Sequence, residues 1–147
     1  MPARLPWQNS LMRKPRPHGP VPSAARLHEA ALAHLARFGA TEAGLRRVLQ
    51  SRIDRWARAA EAANEADVSP RAAQARQEAA AVARTLAAAG TVDDAAFAES
   101  RARRLLRSGR SRRATLAHLA HKGVAAETAG AALPRRSRTR AAADQAA

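Results

Sequence analysis

Apolar residues return along most of this chain at three- and four-residue intervals, the period of a helix buried on one side. Leu27, Ala30, Ala31, Leu35 and Phe38 predict a first amphipathic helix, capped by Ser23 and stopped by Gly39. His34 falls on the same face, where a packed histidine is expected rather than a ligand. Thr41 caps a second helix with Glu42 at its positive end. Leu45, Val48, Leu49, Ile53 and Trp56 form its buried stripe, Arg46, Arg47 and Arg58 face away, and Gly44 marks close packing. Ser69-Pro70 predicts the start of a third helix, a cap followed by proline at the first helical position. It would run to Ala89 with Val82, Thr85, Leu86 and Ala89 on one face.

The stretch that organises the chain follows: Gly90-Thr91-Val92-Asp93-Asp94-Ala95-Ala96-Phe97-Ala98. Gly90 suits the left-handed residue that ends a helix, because glycine has no Cβ to clash. Asp93 or Asp94 then caps the next helix, whose apolar half holds Phe97, Ala98, Ala102, Leu105 and Leu106. Gly109 ends that helix. Leu116, Leu119 and Val124 give the next one its buried side, and a short helix over Ala125 to Leu133 is closed by Pro134. The expected fold is all-α, with three-helix units over Ala24 to Ala89 (segment 23–89) and Asp93 to Leu133 (segment 90–133). Both ends, 1–22 and 134–147, are expected to be disordered and basic, since most of the eight prolines fall in the first and neither has an apolar stripe. An acidic stretch near 60–77, with Glu61, Glu65 and Asp67, reads either as extra helix or as a flexible linker. Leu45-x-x-x-Leu49-x-x-Arg52 and Thr115-x-x-x-Leu119-x-x-Lys122 form a faint internal repeat of the kind stacked units produce.

Composition narrows the picture. Apolar residues make up 46% of 147, but they are mainly alanine, with two Phe, two Trp and no Tyr. Alanine favours helix and buries little area, so the core should be thin. The absence of cysteine excludes disulfides and thiolate metal sites. No apolar run approaches the ~20 residues that span a bilayer, and no secretory pattern opens the chain, so no membrane partner and a cytoplasmic location are expected.

Charge points to a partner. The formal net charge is +14, which favours nucleic acid or an acidic protein surface, although an alanine- and arginine-rich composition alone can produce part of it. Between Arg101 and Lys122 there is no acidic residue. Arg101, Arg103, Arg104, Arg107, Arg110, Arg112, Arg113 and Lys122 are the candidate binding residues, against the plain alternative of a solvated arginine face. Arg103, Arg107 and Arg110 follow one helical ridge. Arg112 and Arg113 open the next helix, where the dipole disfavours cations and a bound anion would offset the penalty. Arg101 lies on the apolar side, between Phe97 and Leu105, and is expected to pair with a carboxylate across the unit junction or to reach the partner. No aromatic residue is interleaved with these arginines in the sequence, so base stacking is not indicated.

Catalysis has little support. Asp93 and Asp94 lack a base or cation at a useful offset, and capping explains them. His118 and His121 stand three residues apart, but two ligands with no carboxylate or cysteine beside them make a poor metal site. The glycines are scattered rather than gathered in a phosphate-binding loop. No catalytic residue, metal or cofactor is expected, and the protein is read as a non-enzyme.

The ordered block Gly90-x-x-Asp93-Asp94-x-x-Phe97-Ala98, then Gly109, then Leu119-x-x-Lys122-Gly123-Val124 resembles the central repeat of the RecX family. These are bacterial regulators of the RecA recombinase built from tandem three-helix repeats. The match runs from Gly90 to about Leu133, and a weaker one covers Ala24 to Ile53. A third repeat is missing or degenerate here, and the connection near 60–77 is longer than usual for the family. The resemblance implies a monomer that binds RecA filaments on DNA and modulates them, usually by inhibition. It implies effects on strand exchange, ATP hydrolysis and repressor cleavage, and so on recombination, repair and the SOS response. DNA contact would be electrostatic and non-specific. Two other readings stay open: a basic helical protein that coats DNA without sequence preference, and a family remnant without activity.

Overall fold

The computed structural model describes residues 19–135. The expected N-terminal arm therefore lies outside the described residues except for 19–22, and the expected tail except for 134–135. Among the described residues there are six helices and no strand: α1 Ala24–Arg37, α2 Glu42–Ala62, α3 Val68–Ala88, α4 Asp94–Arg107, α5 Arg112–His121 and α6 Ala126–Ala132. α1, α2 and α3 pack on one another, as do α4, α5 and α6. The all-α fold of three-helix units expected from the hydrophobic period is the one observed.

Each unit has its own core. Leu27, Leu45, Leu49, Ile53 and Trp56 anchor the first, completed by an alanine stripe on α3 at Ala72, Ala75, Ala79 and Ala83 with Val82 and Leu86. The second is smaller: Ala98, Ala102, Leu119, Val124, Ala129 and Leu133, with Phe97 and Leu116 packed against it. Val92 belongs to the first core, although the next residue already caps the second unit's first helix.

The helix ends follow local chemistry. Ser23, Thr41, Asp93 and Ser111 accept hydrogen bonds from backbone N–H groups three residues on, as N-caps do. After α3, α4 and α5 the chain turns through Gly90, Gly109 and Gly123, each at positive φ. In all three turns the following N–H reaches back to the carbonyl five residues before it: Thr91 to Leu86, Arg110 to Leu105, Val124 to Leu119. Asn64 takes the same role after α2, at φ 56°, where asparagine tolerates the left-handed region better than most residues. The acidic stretch is thus helix and a short turn: α2 runs to Ala62 and α3 starts at Val68.

Several sequence expectations need correction. α1 ends at Arg37, two residues before the expected stop at Gly39. Phe38 is extended, at φ −137° and ψ 137°, which throws its ring off the helix face and leaves it 57% exposed. Val48 is exposed on α2, since Leu45, Leu49, Ile53 and Trp56 already fill the contact with α1 and α3. α3 begins two residues before the expected Pro70, with Asp67 as its left-handed flanking residue. Pro70 is harmless there because a first-turn N–H has no helical partner to lose. Thr85 and Ala89 are exposed, and the buried face of α3 is made of the earlier alanines instead.

The two units meet at a small polar junction. Asp93 Oδ1 accepts from Ala96 N at 3.0 Å and caps α4, while Asp94 Oδ1 accepts from Glu42 N at 2.9 Å and caps α2 of the other unit. Thr41 Oγ1 donates to the Lys122 carbonyl at 2.6 Å and accepts from Gly44 N at 2.9 Å. Arg47 reaches the His121 carbonyl at 3.3 Å. Gly123 sits against Ala43 with no room for a Cβ, and its φ of +88° disfavours one as well.

Asp94→Ala should accelerate hydrogen exchange at the Glu42 amide and destabilise the protein by about 1 kcal/mol, whereas Asp94→Asn keeps an acceptor and most of that stability. Gly123→Ala combines backbone strain with a clash against Ala43 and should destabilise by about 1–3 kcal/mol in urea denaturation.

Candidate functional site: an arginine face beside the junction

α4 and α5 carry the acid-free run. Arg103, Arg104, Arg107, Arg110 and Arg113 are exposed. α4 supplies the first three. Its 3.6-residue turn places Arg107 directly after Arg103 on one ridge, and the Arg107 Nε–H donates to the Arg103 carbonyl at 3.4 Å. Arg110 follows the turn at Gly109, and Arg113 stands in the first turn of α5, which holds no acidic residue to balance it. Among the described residues the ion pairs are Arg71–Glu65 and Arg76–Asp54, both in the first unit. Among the described residues none of the candidate cations of the second unit is neutralised in this way.

The other three sequence candidates, Arg101, Arg112 and Lys122, are half-buried. Arg112 donates to the Pro134 carbonyl at 2.8 Å and ties the start of α5 to the end of α6. Lys122 is half-buried, and its carbonyl belongs to the junction. Among the described residues Arg101 does not pair with a carboxylate. Its guanidinium lies over the Phe97 ring, 4.9 Å from the centroid, and contacts His118 Nε2 at 3.3 Å. Burial, and then the nearby Arg104, lower its pKa from the ordinary arginine value.

An arginine cannot accept a hydrogen bond, so His118 Nε2 is the acceptor and its ring proton sits on Nδ1. Burial first, then Arg101, Lys122, Arg110 and His121, hold the His118 pKa below the ordinary histidine value of 6.5. His118 is therefore neutral at pH 7. The pair His118/His121 belongs to no cluster of three or more potential metal ligands among the described residues.

Two hollows flank the junction. One, of about 390 Å³, lies between the end of α1 and α4 and is lined by Leu35, Phe38, Phe97, Arg101 and Arg104 among others. The other, of about 250 Å³, shares Gly39, Ala40, Phe97 and Arg101 with it and adds Val48, Arg47 and Lys122. Sequence reading misses these hollows because they depend on how the units meet. The signal it could use is a Phe38 immediately before Gly39, at a helix end rather than within the helix. No described helix is long and apolar enough to cross a membrane.

Because the folded pKa of His118 is lowered, the unfolded chain binds the proton first as pH falls. Its contribution to stability is full above about pH 6.5 and declines as pH drops from there towards the folded pKa. Ring NMR titration should give a midpoint below that of a free histidine, and Arg101→Ala should raise it.

No curated protein and no solved structure is a significant match to the chain. Residues 93–133, from the cap of α4 through α6, match the family model described as "RecX, second three-helix domain". The matched segment contains the Asp93–Asp94 pair, Phe97-Ala98, Gly109 and Leu119-x-x-Lys122-Gly123-Val124 in order, each now with a structural role. The second unit of this chain is thus similar to the second three-helix domain of RecX.

Proposed function

We propose that this protein modulates RecA recombinase filaments on DNA, in the inhibitory direction, by laying the arginine face of its second unit against negative charge on the filament. The single observation that carries the reading is that Arg103, Arg104, Arg107, Arg110 and Arg113 are exposed on the family-matched domain, with no internal ion pair among the described residues to consume them. Such a surface suits the DNA backbone or an acidic protein face and performs no bond chemistry. The helices hold the guanidinium groups in register and limit the side-chain and backbone ordering needed on binding.

The reading extends to recombination, repair and the SOS response, all of which depend on the RecA filament. A monomer acting in the cytoplasm is the simplest form consistent with it. The other possibility, a basic protein that coats DNA without regard to RecA, is favoured only by the overall charge of +14. It predicts no special effect on the filament.

RecA ATPase on single-stranded DNA should fall when this protein is added, and Arg103→Ala/Arg104→Ala/Arg107→Ala should relieve the inhibition. Alanine favours helix, so the variant's thermal melt should match the wild type. If those arginines meet phosphates, the slope of log affinity against log salt should shrink on single strands by about 0.7 for each phosphate no longer neutralised. Equal affinity for bare DNA and for filaments, with unchanged ATPase, would favour the coating protein instead.

A further inference from the structure

Phe38 is hard to account for as part of a core. It is one of two phenylalanines in the chain and is 57% exposed, in a protein whose cores are rich in alanine and hold no fully buried phenylalanine. Its extended backbone turns it out of α1, and it lines the 390 Å³ hollow with the second unit's Phe97. Val48, 37% exposed, lines the adjoining hollow, which also contains Phe97. The apolar surface is thus continuous across the junction and drawn from both units. Around it stand Arg101, Arg104, Arg47 and Lys122, none of them in an ion pair among the described residues. The acidic side chain in this lining is Asp93, whose Oδ1 is engaged in capping α4.

We propose that this inter-unit groove is a docking site for an acidic peptide segment that carries an aromatic or aliphatic anchor. The anchor would enter between Phe38 and Phe97, and flanking carboxylates would meet Arg101, Arg104 and Lys122. Charge complementarity selects this occupant. A second copy of the chain would bring the same cationic lining and a net charge of +14. The chain's own ends are also basic in sequence: residues 1–18 contain Arg4, Arg13, Lys14 and Arg16 and no acid, and residues 136–147 carry Arg136, Arg138 and Arg140 against Asp144. Nucleic acid fits less well, because stacking needs a bare ring face. The Phe97 face is under Arg101, and His34 and Arg37 flank the Phe38 ring at 5.2 Å and 5.9 Å. An aliphatic or edge-on aromatic side chain does not need those faces. The groove shares Arg104 with the arginine face but not Arg103 or Arg107, so the proposal goes beyond the filament reading and does not require it.

The test is fluorescence anisotropy of the full chain with a labelled twelve-residue Glu/Asp peptide bearing one central Phe. Its controls are the same peptide with Ala for that Phe and a labelled oligothymidine of similar charge. The Phe-bearing peptide should bind about tenfold more tightly than its Ala counterpart, and Phe38→Ala in the protein should abolish that difference. Lys122→Gln should weaken the acidic peptide, and Phe38→Leu should retain most of the binding. Arg103→Ala/Arg107→Ala should weaken the oligothymidine and leave the anchored peptide within about twofold. Phe38 is exposed and outside both cores, so its variants should melt as the wild type does. Equal affinity for the two peptides, or indifference of the anchored peptide to Phe38→Ala, would overturn the proposal. Loss of oligothymidine binding in Phe38→Ala with no effect on the peptide would make the groove a nucleic-acid site and overturn it too. These outcomes do not depend on RecA ATPase, so the groove and the filament reading can fail separately.

Discussion

The structure depends on two adjacent carboxylates that cap two different helices. Asp93 satisfies the N-terminus of its own α4, and Asp94, one residue on, satisfies α2 of the neighbouring unit. Adjacent residues at a helix start point in different directions, and here that divergence lets one dipeptide serve both sides of a junction. Each carboxylate also lies near the positive end of the helix it caps. On the other side of the junction, Thr41 is a cap for α2 and at the same time a donor to the Lys122 carbonyl that ends α5. Helix ends otherwise left to water are completed by the partner unit, so the relative placement of the units is written in hydrogen bonds rather than in a large apolar interface.

The division of labour between local and tertiary bonds decides which parts of the chain are legible in its sequence. The six helices and most of their caps are, because each rests on local rules: periodicity, Ser, Thr or Asp before a helix, glycine after one. Both Asp93 and Asp94 read as cap material, but that they serve different helices is hidden, since Glu42 is remote in the chain. The Lys122-Gly123-Val124 run is readable only as a pattern. Its meaning is tertiary: a carbonyl for Thr41, a position where Ala43 leaves no space for a Cβ, and a buried valine in the second core. Val48 and Phe38 depart from the periodic expectation for one physical reason. A helical period says which residues share a side, but not where the helix ends or how wide a strip the neighbours cover.

The candidate site divides the same way. That Arg103, Arg104, Arg107, Arg110 and Arg113 are exposed follows from helical spacing and from the lack of nearby acids. The roles of Arg101 and Arg112 do not, because their partners come from other helices. Arg101 shows the difference clearly. Its place on the apolar side suggests a carboxylate partner, yet an aromatic face and a neutral imidazole receive it instead. That arrangement keeps the charge unneutralised while sheltering it, and it draws His118 into its neutral form.

A thin core and a large uniform charge then become two sides of one constraint. Alanine at the α2–α3 and α4–α5–α6 contacts limits the area that burial can stabilise, and the arginines on α4 and α5, in no ion pair among the described residues, repel one another in the folded state. A polyanion that binds only the folded chain relieves the repulsion and adds its own binding free energy to stability, in proportion to the logarithm of its concentration over Kd. The fold therefore gains from occupying the surface that the arginines define. The junction matters here because it sets Arg101 and Arg104 on α4 beside Phe38 and Val48 of the first unit. A rigid pair of capped helices thus turns a run of like charges into a shaped cationic surface with an apolar cleft at its edge.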